Sequence, residues 1–82
     1  MMSRNDIVIF AASARRARDF AESRRLPYPI VFSMPSDVRR LRALSRPIVY
    51  RVGEWKEMEG DYAEAMVQLS TYSPTYVDVQ EW

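Results

Sequence analysis

The sequence of 82 residues contains neither cysteine nor histidine, and these two absences remove most of the usual chemistry of active sites. Without cysteine there is no disulfide and no thiol nucleophile. Without histidine the chain lacks the commonest general base. Catalytic triads and zinc sites of the Cys/His type are therefore excluded. We predict that the protein is not an enzyme and that it has no catalytic residues, no metal site and no cofactor.

Glycine and lysine are scarce, which bears on nucleotide binding. The glycines are Gly53 and Gly60, and the lysine is Lys56. Residues 10–16 read FAASARR and have the position of a phosphate loop, but a P-loop requires glycines and a lysine that this stretch lacks. We therefore interpret Ser13 as the cap of a helix. Weak anion binding at that helix N-terminus, in a vestigial nucleotide-binding domain, is an alternative that the sequence leaves open.

Long hydrophobic runs are also missing. The longest continuous apolar run covers residues 7–12, well short of the roughly 18–20 residues that cross a membrane. Residues 1–6 leave no room for a secretory signal before that run. We therefore expect a cytoplasmic protein without a membrane partner. The length and the 48% hydrophobic content predict one globular domain over residues 1–82.

Apolar runs and helical patterns alternate along the chain. Residues 6–12, 30–32 and 48–52 are predicted strands, and residues 75–82 alternate as expected of a half-exposed strand. Between them lie three segments with apolar residues at helical spacing. The order β-α-β-α-β-α-β predicts a small three-layer α/β domain with a mainly parallel sheet. We expect the strand order 2-1-3, with the C-terminal strand at the edge beside the third strand.

Each predicted helix has a recognisable start. The first helix is capped by Ser13, and the second by Ser36. The third begins with Asp61 and Glu64, which together resemble a capping box. The predicted buried stripes are Val38, Leu41 and Leu44 in the second helix, and Tyr62, Met66, Leu69 and Tyr72 in the third.

The charges are unevenly distributed. Residues 1–51, the basic front, contain eleven arginines and four carboxylates, a formal charge of +7. Residues 52–82, the acidic back, contain one lysine and seven carboxylates, a formal charge of −6. Such asymmetry is typical of interaction surfaces. Two accounts stay open: the two halves neutralise each other within one molecule, or the acidic back of one copy meets the basic front of the next.

Clustered arginines raise nucleic-acid binding as an alternative function. The first helix carries Arg15, Arg16 and Arg18, and the second carries Arg39, Arg40 and Arg42. A basic stripe on helices is a feature of nucleic-acid-binding domains. The acidic back opposes this alternative because it repels phosphate, and the sequence has no helix-turn-helix, RNA-binding or zinc-finger signature.

Large aromatic side chains come late in the sequence, in segments that we expect at the surface. Trp, Tyr and Arg are enriched at interface hot spots, and an edge strand offers unpaired backbone groups to another chain. The predicted interface residues are Arg15, Arg16, Arg39, Arg40, Arg42, Trp55, Met58, Tyr76, Val77, Val79 and Trp82. A head-to-tail contact between them builds rings or open filaments. The alternative is that Trp55 and Trp82 fold back over a thin core.

Three stretches of the sequence resemble a known group of proteins. They read IVIFAASARRARDFA, IVFSMPSDVRRLRAL and PIVYRVGEW. Together they resemble small α/β proteins from bacteriophages of actinobacteria, which look like a P-loop or helicase-like core without a Walker A motif and have no settled activity. Their Ser-x-Pro-x-x-(apolar)-Arg-x-Leu stretch corresponds here to Ser33, Pro35, Val38, Arg39 and Leu41.

The resemblance implies a small phage accessory protein in the host cell cytoplasm that acts on a host protein. It assigns no functional residue, and the chain departs from a working P-loop core because its third strand ends in Tyr50-Arg51-Val52 without an acidic residue. Our principal prediction is a non-enzymatic, phage-like accessory protein that acts through protein contacts and self-assembles head-to-tail into a homo-oligomer.

Overall fold

The structure is a computed structural model, and it describes residues 6–32, 35–57 and 62–80. Its strands are β1 (Ile7–Phe10), β2 (Ile30–Phe32), β3 (Ile48–Val52) and β4 (Thr75–Val79). Its helices are α1 (Ala14–Ser23) and α2 (Tyr62–Ser70), with two short 3-10 helices, η1 (Pro35–Arg40) and η2 (Trp55–Glu57). Within these described ranges, no helix has the length and apolar character needed to span a membrane.

All four strands are parallel and lie in one sheet in the order β2-β1-β3-β4. This order confirms the predicted α/β class and the place of the C-terminal strand beside β3. The chain moves from β1 to β2 in one direction, then from β2 to β3 and β4 in the other. Right-handed crossovers therefore send α1 to one face of the sheet and η1 and α2 to the opposite face. The result is three layers with the sheet in the middle.

β1 lies at the centre of the sheet and is buried on both faces. Val8, Ile9 and Phe10 have no exposed surface. Because successive side chains of a strand point to opposite faces, Val8 and Phe10 pack with the η1 and α2 layer, and Ile9 packs with α1. A parallel strand that is covered on both faces requires apolar residues at every position, and this explains the continuous apolar run in the sequence.

α1 begins and ends with recognisable caps. The Ser13 hydroxyl accepts a hydrogen bond from the backbone N–H of Arg16 (3.2 Å), which confirms Ser13 as the N-cap. At the other end Arg25 has a positive φ of 54°. The N–H of Leu26 then donates to the carbonyl of Ala21 (2.9 Å), which makes a Schellman motif. The helix therefore ends through its own backbone geometry, ahead of the prolines that follow it.

The second predicted helix is not an α-helix. The sequence predicts one from a cap at Ser36 to Leu44, but η1 is a six-residue 3-10 helix that already contains Ser36 and ends before Leu41. Val38, Leu41 and Leu44 recur every three residues, a spacing that an α-helix also allows, but Leu41 and Leu44 lie beyond the end of η1. All three still pack in the core. Ala43 has a positive φ of 55°, which turns the chain out of helical geometry.

α2 follows its predicted pattern where it is described. Its buried side is made by Ala65 and the predicted stripe residues Tyr62, Met66 and Leu69. The predicted Tyr72 is half-buried, and its hydroxyl accepts a hydrogen bond from the N–H of Ala43 (3.1 Å). Ser73, with a positive φ of 53°, separates α2 from β4. The predicted capping residue Asp61 lies outside the described residues.

Substitution of the buried Leu41 tests whether the segment around η1 is part of the core. We expect Leu41→Ala to lower the free energy of unfolding by about 2–5 kcal/mol, because Leu41 is fully buried and its truncation leaves a cavity. Val67→Ala is the matched control, since Val67 is 69% exposed on α2. The control is expected to change stability by no more than about 0.5 kcal/mol. Urea unfolding followed by circular dichroism measures both, and equal values contradict the packing described above.

Candidate functional site

The predicted interface arginines are exposed and lie on two sides of the molecule. Arg15 and Arg16 are in α1, Arg39 and Arg40 are in η1, and Arg42 follows η1. α1 and η1 pack against opposite faces of the sheet. The structure therefore does not place these two sets on one face, and a ligand that contacts both has to reach around the sheet.

The β2 edge of the sheet is short and partly occupied. β2 has three residues and directly follows Pro29, which has no N–H to offer a neighbouring strand. The carbonyl of Val31 accepts a long hydrogen bond from Arg40 Nη1 (3.4 Å). Short strands, prolines and cationic side chains are the usual protections of an edge against pairing with another chain. The β2 edge is thus poorly suited to accept a further strand.

Trp55 folds back over the core. Its ring lies 6.1 Å from the ring of Phe10 and 5.0 Å from that of Tyr62, which it meets edge-on. The side chain is half-buried and packs against the core cluster of the η1 and α2 layer. For Trp55 the described contacts therefore agree with the alternative in which it covers the core. Met58 and Trp82, which were also predicted at the interface, lie outside the described residues.

Arg51 contacts two aromatic side chains and one carboxylate of the acidic back. Its guanidinium lies 4.6 Å from the ring centre of Tyr76 and 5.4 Å from that of Trp55. It also forms a bidentate ion pair with Asp78, in which Nε lies 2.5 Å from Oδ1 and Nη2 lies 2.9 Å from Oδ2. Stacked arginines and bidentate pairs hold a planar guanidinium in one orientation. Arg51 and Asp78 therefore neutralise each other within one molecule and fix a polar, aromatic surface beside β4.

β4 is an edge strand whose backbone groups divide into two sets. The N–H of Thr75 donates to the carbonyl of Pro47, just before β3 (2.9 Å). The carbonyl of Val79 accepts from the N–H of Gly53, just after β3 (2.6 Å). Successive residues of a strand direct their backbone groups alternately to the two sides. Tyr76 and Asp78 therefore direct their N–H and C=O groups away from β3. In the described part of the chain, no strand pairs with this outer side.

The side chains of β4 alternate as the sequence predicts. Val77 and Val79 lie on the α1 side and are half-buried, whereas Tyr76 lies on the other side and is 37% exposed. α1 packs over β1 and β2 and reaches β3 through the ring of Phe20, 5.4 Å from that of Tyr50. Val77 lies opposite Tyr50, one strand further from α1. An incompletely covered apolar strip therefore runs along this side of the edge.

An open groove of about 510 Å³ lies at the carboxyl ends of β3 and β4. Parallel sheets commonly bind ligands at this end of their strands. The lining includes Arg51, Gly53, Trp55, Lys56 and Val79. In the described ranges there is no cluster of three Asp or Glu residues that could hold a metal ion. With Arg51 already paired to a carboxylate, the groove is suited to stacking and polar contacts.

Sequence reasoning did not single out Arg51 as a site residue. Its partner Asp78 is 27 residues away, and their pairing depends on the register of β4 against β3. The predicted adjacency of the third and fourth strands was the available signal. It is not sufficient, because a slip of one residue sends every side chain of a strand to the other face.

The contacts of Arg51 predict a measurable contribution to stability. We expect Arg51→Ala to lower the free energy of unfolding by about 1–2 kcal/mol, the sum of a partly exposed ion pair and two cation–π contacts. Arg39→Ala, at an exposed position of η1, is the control and is expected to change stability by about 0.5 kcal/mol or less. Repeating the urea unfolding in 0.1 M and in about 1 M NaCl also separates the contribution of the ion pair from that of the cation–π contacts, because salt screens the ion pair. Equal effects of the two substitutions contradict this assignment.

Comparisons with known proteins found no match to this chain. No protein-family model, no curated protein and no solved structure was found to match it. Nothing in these comparisons bears on the resemblance to actinobacteriophage proteins, which stays an expectation from the sequence.

Proposed function

We propose that the protein acts through protein contacts rather than through catalysis, and that the edge of β4 is its main contact surface. The observation that carries this proposal is the outward row of backbone groups on β4, which is five residues long and has no neighbouring strand in the described part of the chain. Exposed edges of this kind pair with strands of other chains. The protein is then a binding module, and its first partner is a second copy of itself.

The side chains beside the edge support this proposal. Tyr76 and Arg51 belong to the residue types that are enriched at interface hot spots. The two side chains already contact each other, so less conformational entropy is lost when a partner covers them. Asp78 is already paired with Arg51, and burial of the edge therefore does not leave an isolated charge without a partner.

The resemblance to actinobacteriophage proteins supports an accessory role in the host cell cytoplasm. A strand edge that accepts a second copy also accepts an exposed strand of a different protein, because the main-chain hydrogen bonds are the same. A host protein is therefore the second proposed partner. In this proposal the host protein and the second copy compete for the edge of β4.

Nucleic-acid binding is the second candidate function, through exposed arginines that lie in two sets on opposite sides of the sheet. Arg15, Arg16, Arg18, Arg39, Arg40 and Arg42 are all exposed. If they bind phosphates, affinity for DNA or RNA falls steeply with salt, and Arg39→Ala with Arg42→Ala reduces both the affinity and the salt slope. Titration of fluorescent single- and double-stranded oligonucleotides in about 50 mM salt measures this. Absence of binding under these conditions contradicts the candidate.

The main proposal predicts self-association through hydrogen bonds of the β4 edge. We expect light scattering after size-exclusion chromatography to give a mass above that of the monomer, in low and in high salt. Tyr76→Pro removes an outward N–H and leaves the β3-facing groups of β4 in place. We expect it to weaken association roughly 10- to 100-fold relative to Tyr76→Val, because two hydrogen bonds are lost per dimer.

Tyr76→Val is the matched control for this experiment, since it removes the same aromatic ring but keeps the N–H. Circular dichroism checks that both variants are folded. Equal association of the two variants contradicts the β4 edge as the contact surface. Assembly that grows beyond a dimer in low salt and dissociates in high salt instead indicates a head-to-tail contact between the basic front and the acidic back. A strict monomer at all concentrations contradicts self-association.

A further inference from the structure

We propose that two copies join their β4 strands antiparallel across a two-fold axis at Val77, so that the two sheets become one continuous sheet of eight strands. This inference rests on the proposed function and specifies its first partner. It follows from three features of the described residues: the difference between the two sheet edges, the alternation of backbone groups along β4, and the charges and proline beside the strand.

The two edges of the sheet differ, and this difference selects the symmetry. The β2 edge is three residues long, follows Pro29 and has its Val31 carbonyl bonded to Arg40. The β4 edge is five residues long and has two outward residues without a strand partner in the described chain. Strand addition in a head-to-tail manner uses both edges, whereas a two-fold axis uses β4 twice. Two like strands related by such an axis lie antiparallel, and the contact closes at two copies.

Backbone alternation limits the register. In an antiparallel pair, outward groups of one strand bond to outward groups of the other. Tyr76 and Asp78 carry the outward groups of β4. The axis therefore passes through residue 76, 77 or 78. An axis midway between two residues is excluded, because it opposes an outward residue with an inward one.

Charge and proline select one of these three registers. With the axis at residue 78, Asp78 faces Asp78 of the other copy; each carboxylate has its own Arg51 partner, but two carboxylates directly opposite each other are still the less favourable arrangement. With the axis at residue 76, Asp78 faces Pro74, which has no N–H to donate. With the axis at Val77, Tyr76 of each copy faces Asp78 of the other, and both exchange two backbone hydrogen bonds. This register gives every outward N–H and C=O group of Tyr76 and Asp78 a partner and opposes no like charges.

The same register also gathers compatible side chains on both faces. On the α1 side, the two Val77 side chains become a non-hydrogen-bonded pair, the closer type of cross-strand pair, and each lies opposite Tyr50 of its own β3. The incompletely covered apolar strip is thereby extended across the axis. On the other side, each Tyr76 ring lies beside the neutralised Arg51–Asp78 pair of the second copy.

Cysteine substitution tests this register, because the natural chain has no cysteine. In a non-hydrogen-bonded pair the two Cα atoms are about 4.5 Å apart, which lies within the range of disulfides. We expect Val77→Cys to form a covalent dimer in oxidised glutathione. Val79→Cys is the matched control on the same strand and the same face, and its two Cα atoms are separated by about 14 Å. We therefore expect it to remain monomeric on a non-reducing gel.

Each outcome separates this inference from the proposed function. A covalent dimer from Val77→Cys, formed at least about tenfold faster than from Val79→Cys, supports the register. Equal rates, or faster linkage of Val79→Cys, contradict it. If neither variant is linked while light scattering gives a dimer that Tyr76→Pro dissociates, the β4 contact stands and the two-fold axis at Val77 is wrong. A strict monomer in every assay contradicts both proposals.

Discussion

The burial of β1 on both faces is the constraint on which the rest of the structure depends. Val8, Ile9 and Phe10 have no contact with solvent, and each face needs its own apolar layer. The right-handed crossovers supply these layers by sending α1 to one side and η1 with α2 to the other. In the described part of the chain, α1 has ten residues and α2 has nine. Their cover is therefore concentrated on the middle of the sheet, and the outer side of β4 receives little of it.

At the rim of this core, side chains rather than helices cover the apolar residues. On the α2 side, Trp55 covers Phe10, and Arg51 lies against both Trp55 and Tyr76. A guanidinium can do this because its flat faces are weakly hydrated and stack on aromatic rings, while its edge pairs with a carboxylate. The pair with Asp78 fixes that edge. The rim is thus ordered without being fully buried, and this combination suits a surface that a partner covers.

The sequence predicts the fold better than it predicts this surface. The reason is that the fold depends on patterns within a few residues, whereas the surface depends on contacts between residues far apart in the chain. Apolar runs and caps such as Ser13 act within a few residues, so the strands, the parallel order and the first helix follow from them. The spacing of Val38, Leu41 and Leu44 is compatible with an α-helix, and it does not reveal that the chain forms only a short 3-10 helix there. The Arg51–Asp78 pair depends on register across 27 residues, and local patterns do not contain that information.

The different protection of the two edges has a consequence for how this sheet grows. A sheet with two open edges adds further copies without limit, and such growth is the origin of many aggregates. Here Arg40 and Pro29 oppose pairing at β2, while β4 is five residues long with its charge neutralised by Arg51. In the proposed dimer the β4 edges pair with each other, and among the described strands the joined sheet then ends in two protected β2 edges. A small domain with a thin core can therefore expose a strand edge for binding without polymerising.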